Sequence, residues 1–413
     1  MNKQGLLILG LLYGLAACMT FKWVKTDYYT TQEPLTHITH QSTTDGRMHV
    51  MYRYRDSYYK VIYLIINREG SVRTISTISQ YYVELELGSV ASQVSDSSER
   101  VMFAFFGCYN KPLFHLFGKS PRDCANVYFL ESLNGGDKWS SVVQVSASEV
   151  YIPPESSISL VLERDTERVY LFHSIKTSED AELYSRVVAY VREPNEKEFK
   201  LVYTFPSLRK LQSFSALVSK NTDDATRYVH LIMTTSDAVL YSRSNDKAKT
   251  WSSFHTIVQG TAPYYYNYVA YDPGAYTDSF YILYKLSDSK KVYVTLTHNH
   301  GKTFEKPILV GDSLRQNHDA IGFCGSDYFE ESVVVISHID YDIENSYVKV
   351  MIDDKVQLLD LPYPFANIQG IPMVNLMIDC SSRGLREYYI TFYMLARGNA
   401  ERIYFAFGIL NLT

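Results

Sequence analysis

The amino-acid sequence predicts an all-β chain built from a repeated sheet, and three observations carry this prediction. One turn pattern occurs three times, each time directly after a β-rich run. The chain contains 36 Tyr and 20 Phe residues, a composition that favours strands over helices. Few windows have the i, i+3, i+4, i+7 apolar spacing of an amphipathic helix. A turn that recurs at the same point of successive strand pairs indicates a β-repeat architecture.

Each of the three repeated turns places a hydroxyl first, an Asp or Asn two residues later, then a small residue and finally an aromatic. The short polar side chain is suited to accept bonds from nearby backbone N–H groups. Gly136 and Gly301 can take a positive φ at no steric cost, whereas Ala248 is a weaker substitute. The closing aromatic can fill the space between strands. The defining residues are Ser132, Asn134, Gly136 and Trp139; Ser244, Asp246, Thr250 and Trp251; and Thr297, Asn299, Gly301 and Phe304.

Pairs of strong strands recur between these turns at spacings of about fifty residues, within the range of propeller blades. In each predicted pair the first strand is the inner one and the second leads into the turn. The seven pairs are His49–Tyr54 with Lys60–Ile66, Val101–Phe106 with Val127–Glu131, Arg168–His173 with Tyr184–Val191, Val229–Thr234 with Val239–Arg243, Phe280–Lys285 with Lys291–Leu296, Ser332–Ser337 with Tyr347–Ile352, and Tyr388–Leu395 with Arg402–Leu410.

The repeated turns resemble the Asp box, also called the BNR repeat, of sialidases and related β-propellers. The resemblance implies a β-propeller of four-stranded blades whose boxes lie on the outer rim, away from the ligand face. Seven blades are favoured by the seven strand pairs, and six, the usual number in sialidases, stays open. The last pair runs into the C-terminus, so the segment Thr20–Thr30 is expected to complete the last blade and close the ring. Residues 20–413 are interpreted as one domain, since no long Pro/Gly/Ser linker divides them.

The N-terminus has the pattern of a secretory signal peptide over residues 1–18. Lys3 supplies the positive start, and the apolar run Leu6–Ala17 is too short to span a bilayer. We therefore expect a secreted or cell-surface protein without a transmembrane span. The residues from Leu15 to Cys18 also resemble a bacterial lipobox, which would place a lipid anchor on Cys18.

Removal of the signal leaves four cysteines. An even count in a secreted chain suggests two disulfides, and we expect Cys108–Cys124 within one repeat and Cys324–Cys380 between neighbouring repeats. Four buried thiols are the alternative. No Cys-x-x-Cys pair or His/Cys cluster indicates zinc, and the sequence implies no cofactor. Nucleic acid is an unexpected partner, because the net charge is −5 and there is no Lys/Arg stripe.

The resemblance implies sialidase chemistry, for which the family uses three arginines, a Tyr–Glu pair and an Asp acid. The first arginine of the family lies in an Arg-Ile-Pro motif, and this sequence has none. Arg53 and Arg55 lie near the right place, but alternation along a strand puts them on the face opposite Tyr52 and Tyr54. No catalytic residue is therefore assigned. The leading hypothesis is a non-catalytic protein- or glycan-binding propeller; an exo-sialidase or other glycoside hydrolase and a bacterial lipoprotein scaffold are the alternatives.

Two segments and one carboxylate are candidates for binding a protein or glycan at the cell surface. The apolar loop that Cys108–Cys124 would close is suited to docking or to covering its own blade, and a Tyr-rich segment offers flat faces to sugars and peptides or forms an inner strand. A carboxylate at the start of the sixth repeat is a candidate for the central channel. These residues are Leu113, Phe114, Leu116 and Phe117; Tyr264, Tyr265 and Tyr266; and Asp319.

Overall fold

A computed structural model provides the structure of the chain, with backbone alone for parts of some strands. The described residues are 19–30, 35–42, 47–54, 61–67, 69–78, 91–95, 100–107, 126–146, 157–163, 165–176, 184–209, 211–221, 226–259, 268–270, 278–285, 291–312, 319–325, 332–338, 346–352, 359–361, 364, 373–382, 387–396 and 402–412.

The described strands form seven antiparallel sheets, and the prediction of an all-β chain is confirmed. Strands are numbered along the chain, and β1 (Met19–Thr30) belongs to the last sheet. Sheet 1 contains β2 (Leu35–Ser42), β3 (Met48–Tyr54), β4 (Val61–Ile66) and β5 (Val72–Ile78). Sheet 2 contains β6 (Ala91–Ser95), β7 (Arg100–Gly107), β8 (Asn126–Ser132) and β9 (Val143–Gln144). Sheet 3 contains β10 (Ile158–Glu163), β11 (Arg168–Lys176), β12 (Tyr184–Arg192), β13 (Lys200–Thr204) and the short β14 (Leu208–Arg209).

The remaining sheets repeat the same order of strands. Sheet 4 contains β15 (Ser213–Lys220), β16 (Arg227–Thr234), β17 (Ala238–Ser244) and β18 (His255–Gln259). Sheet 5 contains β19 (Tyr268–Ala270), β20 (Phe280–Lys285), β21 (Lys291–Thr297) and β22 (Ile308–Asp312). Sheet 6 contains β23 (Asp319–Gly325), β24 (Ser332–His338), β25 (Tyr347–Ile352) and β26 (Leu359–Leu361). Sheet 7 contains β27 (Met373–Ser382), β28 (Glu387–Ala396) and β29 (Arg402–Leu412).

In sheets 2 to 5 the two middle strands are apolar, and neighbouring sheets pack on both of their faces. In β7, Met102 and Phe106 belong to a core shared with sheet 3, whereas Phe103 and Phe105 belong to a core shared with sheet 1. Successive side chains of a strand point to opposite faces. An unbroken apolar run therefore indicates a strand buried on both faces.

The predicted strand pairs correspond to these middle strands, and the prediction that the first strand of each pair is the inner one was wrong. In sheet 3 the predicted pair forms β11 and β12, and β10 precedes both. The first strands escape a search for apolar runs because their sequences are mixed. In β15, for example, four half-buried residues, two of them Ser, lie between buried ones.

The first strands of the seven sheets contact one another in chain order. These contacts run through β2, β6, β10, β15, β19, β23 and β27, and β27 also contacts β2. The predicted pairing of the N-terminal segment with the last sheet is present, since β1 pairs antiparallel with β29 from Met19 opposite Leu412 to Thr30 opposite Arg402. Sheet 7 therefore has the strand order β1-β29-β28-β27.

We predict that removal of residues 1–30 prevents stable folding, whereas removal of residues 1–18 does not. Loss of β1 leaves β29 as an unpaired edge next to the buried Ile403, Phe405 and Phe407, and such an edge promotes aggregation. Soluble yield and thermal unfolding by circular dichroism measure the difference. Addition of a peptide of residues 19–30 to the chain that lacks residues 1–30 is expected to restore the melting temperature of the chain that lacks only residues 1–18. Equal melting temperatures for the two truncated chains would contradict the prediction.

Candidate functional site

The three repeated turns share one hydrogen-bond arrangement. In the first, Ser132 Oγ donates to Asn134 Oδ1 at 2.8 Å and accepts from the Gly136 N–H at 2.9 Å, while the Lys138 N–H donates to Asn134 Oδ1 at 2.9 Å. The hydroxyl thus spans the turn, and the amide oxygen caps its far side. Each turn lies between the third and fourth strands of its sheet.

The other two turns reproduce these bonds with different side chains. Ser244 Oγ donates to Asp246 Oδ1 at 2.8 Å, and the N–H groups of Ala248 and Thr250 donate at 3.0 and 2.9 Å to Ser244 Oγ and Asp246 Oδ1. In the third turn Thr297 Oγ1 and Asn299 Oδ1 accept from the N–H groups of Gly301 and Thr303 at 3.0 and 2.9 Å. The pattern explains why each first residue is a hydroxyl, because only a hydroxyl both donates and accepts there.

The small residue of the first and third turns lies against a tyrosine of the preceding sheet. A Cβ atom on Gly136 would lie 2.1 Å from Tyr63 Cε1, and one on Gly301 would lie 1.9 Å from the Tyr241 hydroxyl. Both glycines have positive φ, at 92° and 71°. The middle turn has Ala248 at φ 64°, buried in the core between sheets 3 and 4. Ala248 shows that alanine can adopt this backbone conformation, so at Gly136 and Gly301 it is the contact with the tyrosine that excludes a side chain.

A closed hydrogen-bond circuit joins the third turn to sheet 4. The Tyr241 hydroxyl donates to the His300 carbonyl at 3.1 Å, so its oxygen must accept from His230 Nδ1 at 2.7 Å. His230 Nε2 then accepts from Ser219 Oγ at 2.7 Å, and Ser219 Oγ accepts from His300 Nδ1 at 2.8 Å. Each group uses its donors and acceptors once, which assigns His230 as the neutral Nδ1–H tautomer. Burial lowers the pKa of His230 well below its ordinary value, and the charges of His300 and Arg243 act in the same direction.

A belt of ion pairs joins sheets 2, 3 and 4 at the edge that carries the turns. Glu163, at the end of β10, is buried and accepts from Arg168 Nη1 at 3.1 and 2.9 Å and from the Tyr170 hydroxyl at 2.8 Å. Arg227 Nε forms an ion pair with Glu163 at 2.8 Å. Arg227 begins β16 and also pairs with Asp165. A buried carboxylate is tolerated when its oxygens are satisfied in this way.

The second half of the belt is centred on Glu131 at the end of β8. Arg192 donates two parallel bonds to its oxygens at 2.8 Å, Arg100 lies 2.7 Å away, and Arg100 also pairs with Glu167. Burial raises the pKa of Glu131, but the bonds and charges of Arg192 and Arg100 outweigh it and hold the pKa below its usual range. Bidentate pairs of this kind fix orientation as well as charge. The belt therefore fastens neighbouring sheets, and its carboxylates and guanidinium groups are committed to one another.

Several sequence-predicted residues lie outside the described part of the chain. This applies to Cys18, Cys108, Cys124, the apolar loop with Leu113, Phe114, Leu116 and Phe117, and the Tyr264–Tyr266 segment. Asp319 is the first residue of β23, where its backbone pairs with His338, but its side chain is not described. Cys380 is buried in β27 and disulfide-bonded. Cys324 lies in β23, which contacts β27, and its pairing with Cys380 stays a prediction because its side chain is not described.

Sequence reasoning missed the ion-pair belt and the histidine circuit. The belt has a sequence signal, because Arg100, Arg168 and Arg227 each begin the second strand of their sheet, directly before an apolar run. The circuit has no such signal, since Ser219 and His300 are 81 residues apart in sequence.

In the described part of the chain no group of three or more His, Cys, Asp and Glu side chains is placed to hold a metal. The same residues include no helix of sufficient length and apolarity to cross a bilayer.

Comparison with known proteins identifies relatives by structure alone. No protein-family model matches the chain, and no curated protein does. The chain is similar to an ulvan lyase of polysaccharide lyase family PL25, bound to a GlcA(1-4)Rha3S oligosaccharide, with a TM-score of 0.55, 10% identity and coverage of 90% of this chain and 93% of that one. It is also similar to a protein of unknown function from Dyadobacter fermentans, with a TM-score of 0.54, 11% identity and coverage of 95% and 99%.

A mutant of NanB sialidase from Streptococcus pneumoniae matches at a TM-score of 0.42, with 9% identity over 87% of this chain and 83% of that one. A TM-score of 0.42 is too low to show a shared fold. The neighbours of the chain are β-propellers. At 10–11% identity the likeness shows the fold alone.

We predict that Gly136→Ala destabilises the protein far more than Gly135→Ala. Both glycines have positive φ, but a Cβ on Gly135 meets nothing within 4 Å, whereas one on Gly136 meets the Tyr63 ring. The left-handed backbone alone costs roughly 1–2 kcal/mol, and overpacking adds about 1–3 kcal/mol. Urea unfolding of both variants gives the difference in free energy of unfolding. Equal losses would show that the approach of Tyr63 does not constrain the turn.

We predict that stability falls as the pH drops from about 6.5 toward about 4. Burial lowers the pKa of His173 to about 4 despite its bond to the Ser174 carbonyl, while the unfolded value is about 6.5. Between these values only the unfolded chain takes up a proton, so acidification favours unfolding, by on the order of 3 kcal/mol for a shift of this size. Stability is fully present above the unfolded value.

Thermal unfolding across this pH range, in the wild type and in His173→Gln, measures the effect. The variant removes one titrating group and is expected to flatten the profile, while the exposed His255→Gln serves as the matched control. Identical profiles for wild type and His173→Gln would exclude His173 as a source of acid sensitivity.

Proposed function

We propose that the chain is a sialidase-like propeller of seven blades in a closed ring, and that the three repeated turns are Asp boxes. The seven sheets among the described residues, the cyclic order of contacts between their first strands and the pairing of β1 with β29 support this architecture. The ulvan lyase likeness extends over nine-tenths of the chain. In such a ring, the repeated turns lie at one end of each blade, and the loops that connect its second and third strands lie at the other end.

We propose further that the protein binds glycans and does not cleave them. The glycan-binding proposal rests on the fold that the chain shares with a polysaccharide lyase bound to an oligosaccharide. Two observations argue against catalysis of the sialidase type. The sequence has no Arg-Ile-Pro motif, and the arginines of the ion-pair belt are already paired. Arg100, Arg168, Arg192 and Arg227 are paired with carboxylates of the chain itself, so they do not offer a guanidinium cluster for a sugar carboxylate.

Secretion or attachment at the cell surface completes the proposal. The signal-like N-terminus motivates it, and disulfide-bonded Cys380 fits an oxidising compartment. A lipid on Cys18, which mass spectrometry of the mature N-terminus detects, would place the protein on a membrane as a bacterial lipoprotein.

We predict binding without turnover when the purified protein is presented with glycans. A fluorogenic sialoside tests hydrolysis, and a glycan array followed by titration calorimetry tests binding, with heat-unfolded protein as the control. Retention of glycans with no sialoside cleavage is the expected result. Cleavage that Asp319→Asn abolishes would establish the exo-sialidase alternative, and a protein that retains no glycan would remove the glycan-binding proposal in favour of a protein partner.

A further inference from the structure

His230 holds the third repeated turn on sheet 4 through bonds that leave no place for a second proton on its ring. Its Nδ1–H donates to the Tyr241 hydroxyl at 2.7 Å, and its Nε2 accepts from Ser219 Oγ at 2.7 Å. Ser219 Oγ also accepts from His300 Nδ1 of the turn at 2.8 Å. A proton on His230 Nε2 would leave Ser219 Oγ between two N–H donors and take away the acceptor of its own hydrogen. Protonation of His230 therefore breaks the histidine circuit.

The surroundings of His230 do not compensate a positive charge on its ring. The Arg243 guanidinium donates to the His300 carbonyl at 3.0 Å. Burial and the charges of His300 and Arg243 all lower the pKa of His230, and in the described chain no carboxylate bonds to its ring. The groups that face the ring are Tyr228 on its own strand, Ser219 on β15, Tyr241 and Arg243 on β17, Phe280 on β20 and His300 on the turn.

The bonds described within the third repeated turn do not titrate. Thr297 Oγ1 and Asn299 Oδ1 accept from N–H groups of the turn itself, and neither a hydroxyl nor an amide takes up a proton in mild acid. The His300 N–H donates to the Asp278 carbonyl at 2.9 Å, just before β20 of the same sheet. When the histidine circuit breaks, the turn therefore stays intact on sheet 5, and only its contact with sheet 4 is lost.

A second junction contains the same pair of side chains. His49 Nδ1 bonds to the hydroxyl of Tyr63, the residue on which the first repeated turn lies. The ring centroids are 6.0 Å apart in both pairs, with interplanar angles of 28° for His49–Tyr63 and 23° for His230–Tyr241. The second turn differs, because Ala248 packs in a core whose described members include no histidine. A buried His–Tyr pair beneath a repeated turn is thus a recurring arrangement, and the second turn provides an internal reference.

We infer that the histidine circuit is an acid-sensitive contact, which holds the third repeated turn on sheet 4 at neutral pH and opens when His230 takes up a proton from solvent. The inference does not depend on glycan binding. In the open form His230 meets water and has a pKa of about 6.5, whereas burial keeps its pKa lower in the closed form. The closed form is therefore fully favoured above about pH 6.5 and becomes less favoured as the pH falls. Uptake of one proton raises the ratio of open to closed about twentyfold between pH 7 and pH 5.

Hydroxyl-radical footprinting with mass spectrometry, applied to the full chain at pH 7 and pH 5, measures this opening. Tyr241 and Phe280 are buried beside the circuit, and their labelling is expected to rise about twentyfold in acid. Tyr170 and Phe172 are equally buried in the core beneath the second turn. They are expected to stay protected, because no histidine circuit joins that turn to sheet 3 among the described residues.

His230→Gln is expected to abolish the acid response, because its amide still donates and accepts but takes up no proton. The matched control is His255→Gln, which removes an exposed histidine that stacks on Phe304 of the same turn and is expected to keep the response. If His230→Gln does not fold, nitrogen NMR of the wild-type histidines at pH 7 tests the inference instead. The circuit requires His230 to be the neutral Nδ1–H tautomer there.

Four results would overturn the inference. Labelling that rises together at Tyr241 and Tyr170 would show that acid unfolds the whole chain rather than one junction. Labelling of Tyr241 that stays unchanged at pH 5 would show that the contact does not open. An acid response that persists in His230→Gln would assign it to another group, and an Nε2–H tautomer of His230 at pH 7 would contradict the circuit itself.

Discussion

The close approach of a repeated turn to the sheet before it is the constraint on which the junctions in this protein depend. At Gly136 and Gly301 the backbone of one sheet reaches the tyrosine of its neighbour with no space for a side chain. The aromatic that ends each of these two turns then packs on the same tyrosine, with Trp139 edge-on to Tyr63 at 5.6 Å and Phe304 edge-on to Tyr241 at 5.0 Å. One local sequence pattern thus performs two tasks, since it closes a hairpin and positions the adjoining sheet.

Polar groups reinforce these junctions where the apolar core reaches the edge of the sheets. The ion-pair belt crosses from sheet 2 to sheet 4, and the histidine circuit crosses from sheet 4 to sheet 5. Both are buried or half-buried, so their cost of desolvation is large and is offset only because nearly every oxygen and nitrogen is satisfied. Hydrogen bonds and ion pairs have preferred directions, so such networks fix the relative orientation of neighbouring sheets, which apolar contacts alone would fix less tightly. The two faces of the molecule therefore differ, with structural polar groups concentrated at the edge that carries the turns.

Sequence reasoning predicted the parts of the fold that depend on local pattern. The turns follow from a hydroxyl, an Asp or Asn and a small residue at fixed spacing, and β7, β11, β16 and β20 follow from apolar runs. The first strands were missed because mixed sequences such as Ser213–Lys220 obtain their order from neighbouring sheets. The histidine circuit was beyond the sequence for the same reason, since Ser219 and His300 are 81 residues apart and meet only when the surrounding chain has folded.

The position of β1 has a consequence for how the protein is made. The strand β1, which completes the last sheet, is synthesised some 370 residues before its partner β29. Until β29 has been made, β1 lacks the strand with which it pairs, and the pairing closes a loop of some 370 residues, which carries a large entropic cost. The earlier sheets can form in chain order during translation, but the pairing of β1 with β29 forms only after β29 has been made. Correct folding therefore requires that β1 does not pair with another strand before β29 is available.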